Sequence, residues 1–301
     1  MDLRLLRTFT AAARLQNFHQ AAEKLFLAQP TVTSHIRQLE ESLGYPLFER
    51  IGKRVRLTPA GERFLPHAVK VIETYEHALH DMTAWRQGYD TRLHLMVSPV
   101  VATSVLPGVL KQFTRKHPRV EVMVLTAGSP DISGAVVAGT AHLGLSRMPS
   151  FHPDTTSSVL YRDPVVLVAC PSCLDEQGVA PNWHELVATQ LVLTRNHPMY
   201  WDDLLLVLSE RQPWMRTLEV DRVDVTKVMV GQGLGVSFLP RSAVTRELAD
   251  GSLITIEATD LELPVAATYL IVPAQRMLSQ PAQEFVNMLQ EAYPPGAVQL
   301  S

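Results

Sequence analysis

The stretch FHQAAEKLFLAQPTVTSHIRQLEESLGYPLFERIGKRVRLTPAG, residues 18–61, determines the predicted fold of the first part of the chain. Its apolar residues recur at helical spacing and are interrupted before Gln29. Gln29 stands where a helix cap is expected, and Pro30 suits a first helical position because its missing N–H would have no partner there. A second apolar stripe runs over residues 32–43. The stretch therefore predicts two short helices joined by a sharp turn.

The second of these helices leaves a set of hydrogen-bonding side chains off its apolar stripe. They are Thr31, Thr33, Ser34, His35, Arg37 and Gln38. Hydroxyl, imidazole, amide and guanidinium groups can contact base edges and phosphates. An ordinary solvated helix face carries similar residues, and for this helix in isolation that interpretation is the better one.

The segment that follows this helix favours a DNA-contacting face over an ordinary solvated one. Strand-like runs at 47–50 and 55–58 flank Gly52, Lys53 and Arg54, a pattern typical of a hairpin with basic residues at or beside its tip. A basic hairpin directly after a polar-faced second helix predicts a winged helix-turn-helix. In that fold the helix enters the major groove of DNA and the wing follows the backbone.

These residues resemble the DNA-binding domain of LysR-type transcriptional regulators. The matching positions are Ala21, Ala22, Leu25, Gln29, Pro30, Val32, Ile36, Leu39, Glu40, Leu43, Gly44, Leu47, Phe48, Arg50, Leu57, Thr58, Ala60 and Gly61. Thr33 stands where the family usually has serine, and Ser34-His35 where it often has a basic residue and an amide, two departures that bear on operator preference. The resemblance implies double-stranded DNA as the ligand and interrupted palindromes as operators.

We expect the second helix to contact base edges and the wing to contact the phosphate backbone. The residues expected in the groove are Gln29, Pro30, Thr31, Thr33, Ser34, His35 and Arg37, and those expected on the backbone are Arg50, Lys53, Arg54 and Thr58. The charge distribution agrees with this assignment. Residues 1–58 hold nine Lys/Arg against five Asp/Glu, a net charge of +4, whereas the remainder holds 18 against 25, or −7. A basic head on an acidic body fits local phosphate contact despite the overall charge of −3.

The hydrophobic pattern argues against membrane insertion and secretion. Uninterrupted apolar runs are only a few residues long, too short to span a bilayer. The first residues lead directly into an amphipathic helix rather than a signal peptide. We therefore expect a cytoplasmic protein.

A long helix is predicted from Pro59 to about Tyr89. Apolar residues recur along it at heptad spacing and are interleaved with a second set, which is typical of a coiled-coil seam. A single helix lying on its own domain is the alternative, and the resemblance favours a dimerising linker. The expected dimer contacts are Leu65, Ile72, Tyr75, Leu79 and Met82. We interpret Glu73, Glu76, His77 and His80 as a solvated face rather than a metal cluster, and predict no metal or cofactor.

Strands and helices alternate beyond the segment 88–91, which predicts a parallel sheet wrapped by helices. Strands are predicted at 93–97, 120–125, 142–145, 165–169, 191–193, 218–220, 236–239 and 265–272, and helices at 103–117, 131–138, 200–209, 222–231 and 279–292. The resemblance implies that the last strand returns to the first subdomain. Two α/β lobes joined by crossing strands near 162 and 266 would then form a cleft like that of periplasmic binding proteins.

The predicted fold is thus an N-terminal winged helix-turn-helix (all-α with a β wing), a long linker helix, and a two-lobed α/β effector domain. The predicted boundaries are 1–58, 59–89 and 90–301, with lobe I at 92–162 and 267–301 and lobe II at 163–266. In such sheets ligands bind beyond the carboxyl ends of the strands, near helix N-termini. The residues expected there are Ser98, Thr103, Thr126, Ser129, Arg147, Arg195, His197, Tyr200 and Phe238. Basic residues beside hydroxyls indicate a small carboxylate, although surface or hinge structure would explain each one singly.

Several segments are most similar to the LysR subgroup that regulates a citrate synthase gene in spore-forming bacteria. They are 31–33, 86–89, 97–99, 197–198, 200–203 and 233–240. This resemblance implies citrate or a related acid as the effector. It also implies a homo-oligomer, dimer or tetramer, and allows contact with RNA polymerase.

Other functions fit the sequence less well. Cys170 and Cys173 form a C-x-x-C that could be structural, redox-active or metal-binding, and we favour the structural interpretation because no second pair exists. Turn geometry explains the glycines at 231–235 better than a nucleotide loop does. No G-x-S-x-G, P-loop or H-E-x-x-H motif is present, so we predict no catalytic residues. The basic head and the missing signal peptide argue against a solute-binding receptor.

Overall fold

The computed structural model describes residues 2–51 and 54–294 and divides the chain into two compact units, Met1–Gly88 and Tyr89–Ser301. The first unit contains α1 (Leu3–Leu15), α2 (Phe18–Leu25), α3 (Gln29–Leu43), β1 (Phe48–Ile51), β2 (Arg54–Leu57) and α4 (Pro59–Arg86). The strands β1 and β2 pair antiparallel as a hairpin.

A small apolar core holds the three short helices and the hairpin together. Phe9 of α1 is fully buried, and its ring centroid lies 5.6 Å from that of Phe48 at an edge-to-face angle of 63°. Ile36 and Leu39 of α3 are buried in the same core. The cap of α3 is Ala28, so Gln29 is the first helical residue and not the cap that the sequence predicted.

The long helix α4 divides into a packed part and an exposed part. Leu65 and Ile72, both predicted as dimer contacts, are partly buried against the core of the first unit. Tyr75, Leu79 and Met82 are about half exposed, at 46%, 51% and 59%. Within the described residues of this unit, only these last three positions of the predicted seam therefore present much apolar surface to a partner.

The second unit alternates strands and helices. It contains β3 (Thr91–Val97), α5 (Pro99–Thr103), α6 (Leu106–Lys116), β4 (Val120–Thr126), α7 (Ser129–Ala138), β5 (Leu143–Ser146), β6 (Thr155–Ala169), a 3₁₀ turn (Pro171–Cys173), α8 (Trp183–Thr189), β7 (Leu191–Thr194), α9 (Trp201–Arg211), β8 (Arg216–Glu219), α10 (Val223–Gly231), β9 (Gly235–Pro240), α11 (Arg241–Asp250), β10 (Ile254–Ile256), β11 (Val265–Pro273) and α12 (Gln280–Ala292).

The strands form one sheet in the order β4-β3-β5-β11-β6-β9-β7-β8, with β10 paired to the end of β6. The strands β3, β4 and β5 are mutually parallel on one side, and β7, β8 and β9 are parallel on the other. The two longest strands, β6 and β11, run antiparallel between these groups. Arg162 pairs with Ala267 and Asp163 with Ala266, so the predicted crossing points near 162 and 266 lie opposite each other.

Several predicted elements differ from the observed ones. The helix predicted over 103–117 corresponds to α6, which begins three residues later at Leu106 with Pro107 in its first turn. The short helix α5, which precedes it, was not predicted. The helices α8 and α11 and the strand β10 were not predicted. The strand is only three residues long, and α8 has only seven residues, too few for a clear helical period. Helix α11, RSAVTRELAD, is mostly polar and has no continuous apolar stripe that would mark it. No helix in the described part of the chain is both long enough and apolar enough to cross a membrane.

Candidate DNA-binding surface and candidate effector cleft

The polar face predicted for α3 lies on the outside of the first unit. Val32, Ile36 and Leu39 are buried and anchor the opposite side of the helix. The predicted groove residues Gln29, Pro30, Thr33, Ser34 and Arg37 are exposed, and Thr31 and His35 are half-buried. Helix α3 therefore presents hydrogen-bonding side chains outwards in a fixed register.

Several of these side chains are held by neighbours on the same helix. Arg37 Nε donates to Glu41 Oε1 at 2.8 Å, and both side chains are exposed. Gln38 Nε2 donates to Ser34 Oγ at 3.2 Å. Exposed pairs of this kind stabilise a helix by only a few tenths of a kcal/mol, about 0.3–0.5. The arginine can therefore exchange its carboxylate for a phosphate or a base at little cost.

The wing is described in part. The pairs Arg50–Val55 and Ile51–Arg54 place the predicted cations Arg50 and Arg54 opposite neighbouring residues of the hairpin, and only their backbone is described. Lys53, the third predicted wing cation, lies outside the described residues. Arg56 of β2 is exposed and was not among the predicted contacts. Its alternation with buried Val55 is the sequence signal that could have identified it.

Thr58, which was predicted to contact the DNA backbone, has a structural role within the protein. It is the N-cap of α4, where its Oγ1 accepts from the Gly61 N–H at 3.1 Å. The same hydroxyl donates to the Pro46 carbonyl at 2.6 Å. Because a hydroxyl has one hydrogen, Thr58 has no further hydrogen to donate to a phosphate.

Three of the predicted effector residues are buried at the carboxyl ends of β3, β5 and β7. Ser98 follows β3, Arg147 follows β5, and His197 follows β7, and each is at most 5% exposed. Arg147 Nε lies 3.3 Å from His197 Nε2, and this contact joins the two halves of the sheet. Ser129 Oγ accepts from the Arg147 backbone N–H at 3.1 Å and fixes the position of that residue.

Asp163 of β6 is the buried counter-charge of Arg147, and sequence reasoning missed it. Its carboxylate is 0% exposed and accepts from Arg147 Nη1 at 3.2 Å. Ser242 adds a backbone N–H at 3.1 Å and a hydroxyl at 2.5 Å. An acidic residue inside β6, two positions before the apolar run 165–169 that ends the strand, was the available sequence signal, because a buried carboxylate requires partners of this kind.

One edge of the Arg147 guanidinium remains incompletely paired. Nη2 is buried and has no hydrogen-bond partner among the described residues, and the same holds for the buried hydroxyl of Ser98. The contact of Nε with His197 is also compromised, because the Met199 N–H points at the other ring nitrogen, Nδ1, at 3.2 Å. A neutral imidazole keeps one N–H and can accept at one nitrogen only. The Nε–Nη2 edge, which fits the two oxygens of a carboxylate, therefore has one nitrogen without a partner, Nη2, and one, Nε, that competes with the Met199 N–H for the single acceptor of the His197 ring.

The surroundings of the Nε–Nη2 edge of Arg147 favour the uncharged forms of the His197 and Tyr200 side chains. Burial, followed by the charge of Arg147, holds the pKa of His197 well below its ordinary value of 6.5. Burial also raises the pKa of Tyr200, whose hydroxyl donates to the Phe238 carbonyl at 2.8 Å. The His197 and Tyr200 rings stack with centroids 4.4 Å apart. The buried pair of Arg147 and Asp163 thus lies beside aromatic rings whose uncharged forms are favoured.

Four predicted effector residues lie elsewhere. Thr103 is exposed, and its hydroxyl donates to carbonyls of its own helix at 3.1 and 3.2 Å. Thr126 is exposed at the end of β4. Phe238 is fully buried in the apolar core. Arg195 is exposed and pairs with Asp202 and Glu219.

Arg195 nevertheless shapes the loop that carries His197. Its backbone is left-handed, with a φ of 66° that non-glycine residues rarely adopt. The next two residues, Asn196 and His197, are each 5% exposed. Asn196 Nδ2 donates to Ser237 Oγ at 3.0 Å, which fixes the loop on β9. A strained residue of this kind is typical of a site whose geometry is held by its surroundings.

The two cysteines are free thiols in the described chain. Cys170 Sγ donates to the Gly231 carbonyl at 3.3 Å. Burial raises the pKa of Cys173, which lowers the thiolate fraction on which oxidation depends. These contacts support the structural interpretation of the C-x-x-C.

A winged helix-turn-helix unit and an α/β unit with a buried polar cleft define a DNA-binding transcription regulator with a domain for a small ligand. The sequence model of the bacterial regulatory helix-turn-helix protein, lysR family, matches residues 3–62, and that of the LysR substrate binding domain matches residues 86–294. The chain belongs to the LysR family. It is a regulator and not an enzyme, and the predicted family and fold class are confirmed.

Individual relatives agree with this assignment. The regulator CitR of Bacillus subtilis (strain 168) is 42% identical over 274 residues, which cover 90% of this chain and 93% of CitR. The regulator YxjO of the same strain is 34% identical over 292 residues, covering 97% and 98% of the two chains.

Solved structures of LysR-type regulators share the fold. Full-length CbnR, solved in complex with its target DNA, matches with a TM-score of 0.74 at 23% identity, over 97% of this chain and 100% of that one. Vibrio fischeri DarR, also solved in complex with DNA, matches with a TM-score of 0.61 at 21% identity, over 96% and 98% of the chains.

Proposed function

We propose that this regulator binds interrupted palindromic operator DNA as a homo-oligomer and responds to a small anionic metabolite in the cleft beside Arg147. Citrate or a related carboxylate is the candidate ligand, following the resemblance to regulators of a citrate synthase gene. A DNA-binding regulator works where the chromosome is, so the same proposal places the protein in the cytoplasm.

The unsatisfied edge of the Arg147 guanidinium carries the ligand part of this proposal. A buried polar group without a partner costs about 1–3 kcal/mol, and each such group in a native structure needs an explanation. A carboxylate would accept from Nε and Nη2 together and could also accept from the Ser98 hydroxyl. Asp163 already neutralises Arg147, so one carboxylate on this edge makes the buried group anionic overall. Further negative charges on the ligand would need other donors.

The DNA part of the proposal rests on α3 and the wing. Gln29, Pro30, Thr31, Thr33, Ser34, His35 and Arg37 would read the major groove, while Arg50, Lys53, Arg54 and Arg56 would neutralise phosphates. A second copy of the chain would cover Tyr75, Leu79 and Met82 of α4, which are apolar and about half exposed. Pairing of two α4 helices would fix the spacing of two half-sites, as two-fold operators require.

The response to ligand would be a shift between two arrangements of the cleft. The two groups of parallel strands are joined by the β6–β11 pair, and the contact between Arg147 and His197 bridges them. A carboxylate that takes over the Nε–Nη2 edge would release His197 from Arg147. The ligand shifts the equilibrium only as far as its affinities for the two arrangements differ.

Calorimetry and thermal unfolding of the full-length protein with mono-, di- and tricarboxylates would test the proposal. We expect one class of acid to raise the unfolding temperature and Ser98→Ala to weaken its binding about tenfold, the loss of one hydrogen bond to a charged group. Thr103→Ala is the matched control, because that exposed hydroxyl is already bound to its own helix. No response to any acid in the set would contradict the proposed ligand class.

A further inference from the structure

The ring of His35 on α3 is held by a residue of another helix. Its Nδ1 lies 2.9 Å from the hydroxyl oxygen of Thr8 on α1. Thr8 is 1% exposed, and its hydroxyl also lies 2.9 Å from the Arg4 carbonyl, to which it donates. His35 itself is half-buried, between the buried stripe of α3 and its exposed polar face. The orientation of the ring is thus set from inside the unit.

These two contacts determine which ring nitrogen carries the hydrogen. A hydroxyl has a single hydrogen, and a carbonyl can only accept. If Thr8 donates to Arg4, its oxygen can only accept from His35, so Nδ1 must carry the hydrogen. The opposite tautomer would require Thr8 to donate to His35 and to give up its bond to Arg4. Only the Nδ1–H tautomer makes both contacts hydrogen bonds.

The other ring nitrogen is consequently an acceptor that points away from α1. The two nitrogens lie on opposite sides of the imidazole, so a ring with Nδ1 on Thr8 turns Nε2 outwards. The structure gives Nε2 no hydrogen-bond partner among the described residues. Its neighbours on the helix surface, Ser34 and Arg37, are exposed.

We propose that His35 determines operator specificity by accepting a hydrogen bond at Nε2 from an exocyclic amino group in the major groove. Cytosine N4 and adenine N6 are the bases' amino donors in that groove, whereas guanine and thymine offer acceptors there. Arg37, a pure donor, would select guanine from the same helix. Thr8, which touches no DNA in this proposal, acts as a positioning residue because it fixes the tautomer. The inference rests on the proposed role of α3 as the helix in the groove.

Selection from a randomised duplex library with the full-length protein would test the proposal. We expect the selected half-site to contain one position, cytosine or adenine, whose preference is lost in His35→Ala while all other positions persist. Replacing that base by its analogue without the amino group should weaken binding of the wild type about fivefold to tenfold, the lower part of the range for one mismatched base pair. The same analogue should leave binding of His35→Ala unchanged. The analogue series also distinguishes cytosine from adenine.

Two substitutions at Thr8 test the tautomer. Thr8→Val removes the hydroxyl from a buried site of nearly the same shape, and we expect it to admit guanine at the His35 position without changing affinity for random DNA. Thr8→Ser keeps the hydroxyl and should keep the wild-type preference. Nitrogen NMR shifts of the His35 ring in the wild-type protein, near neutral pH, should report hydrogen on Nδ1 and a bare Nε2, whether or not the Thr8 variants fold.

The outcomes separate this proposal from the one on which it rests. If Arg37→Ala changes base preference and His35→Ala does not, the role of His35 is refuted while α3 remains the reading helix. If neither variant changes base preference although the protein binds its operator, the assignment of α3 itself fails. A wild-type preference for guanine or thymine at the His35 position, or a hydrogen on Nε2, would also refute the acceptor role.

Discussion

The face of α3 and the cleft around Arg147 both collect hydrogen-bonding side chains, but they differ in how the protein uses these groups. On α3 most of these side chains are exposed, and Arg37 and Gln38 have partners one helical turn away on the same helix. His35 is the exception, because it is half-buried and contacts Thr8 of α1. In the cleft, Arg147 and Asp163 are buried at 2% and 0% exposure, and their partners come from distant strands and loops. An exposed reading surface keeps its contacts exchangeable, whereas a buried site needs its charges fixed before a ligand arrives.

Removing the buried counter-charge should produce the largest effect. Asp163→Asn removes the counter-charge of Arg147 and turns an amide N–H towards either the guanidinium or the Ser242 backbone N–H. We expect the second unit to lose about 3–5 kcal/mol of unfolding free energy, the usual cost of breaking a buried ion pair. Urea unfolding followed by tryptophan fluorescence would measure it, because Trp183 and Trp201 of this unit are buried.

Asp260→Asn is the matched control for this experiment. Asp260 accepts from Trp183, His184 and Arg211, but its side chain is 51% exposed. Solvent screens such contacts, so the loss should be much smaller than for Asp163. Equal losses for the two variants would remove the distinction between a fixed, buried site and an exchangeable, exposed one.

The next effect concerns the pH dependence of stability. The pKa of folded His197 is well below 6.5, so between these two values the unfolded chain binds a proton that the folded chain does not. Stability should therefore be fully present above about pH 6.5 and fall as the solution becomes more acidic, by at most about 1.4 kcal/mol per pH unit. Urea midpoints between about pH 5 and 7 should show a smaller slope in His197→Gln. An unchanged slope would show that the ring is charged or exposed in the folded protein.

The smallest effect is expected on the DNA affinity of the α3 surface. Glu41→Gln removes the carboxylate that holds Arg37 and should strengthen DNA binding by a few fold, more on operator than on random DNA, because the released arginine contacts a base in this account. Fluorescence anisotropy at two salt concentrations would measure it. Glu23→Gln on α2 is the control, since that carboxylate lies 3.6 Å from His19 and contacts none of the arginine side chains that the structure describes. If both variants strengthen binding equally, the gain comes from the lower negative charge of the first unit and not from the release of Arg37.

The same contrast explains what the sequence could predict. The exposed face of α3 follows from helical periodicity, because the buried stripe of Val32, Ile36 and Leu39 fixes which residues remain outside. Ser98, Arg147 and His197 were each predicted at the carboxyl end of a strand, and the structure places them directly after β3, β5 and β7. The strands β5 and β7 run in opposite directions on either side of the β6–β11 pair, and their carboxyl ends bring Arg147 to His197. Their grouping in the structure supports the proposed site and leaves ligand contact a prediction.

The partners of the cleft could not be derived in this way. Asp163 meets Arg147 only because β6 lies next to β11 in the middle of the sheet, a pairing that local periodicity does not contain. Arg195 was predicted in the cleft because it neighbours His197 in the chain, but its left-handed backbone directs the two side chains to different surroundings. For Thr58, a cap and a DNA contact have the same sequence pattern.

Footprinting the full-length protein on the DNA that flanks its own gene, with and without di- and tricarboxylates, tests the central claim most directly. We predict two protected half-sites on one face of the duplex and a protection pattern that changes with one class of acid in the wild type. Ser98→Ala should need about ten times more of that acid for the same change. An absence of protection at low salt, or a pattern that no acid alters, would contradict the account.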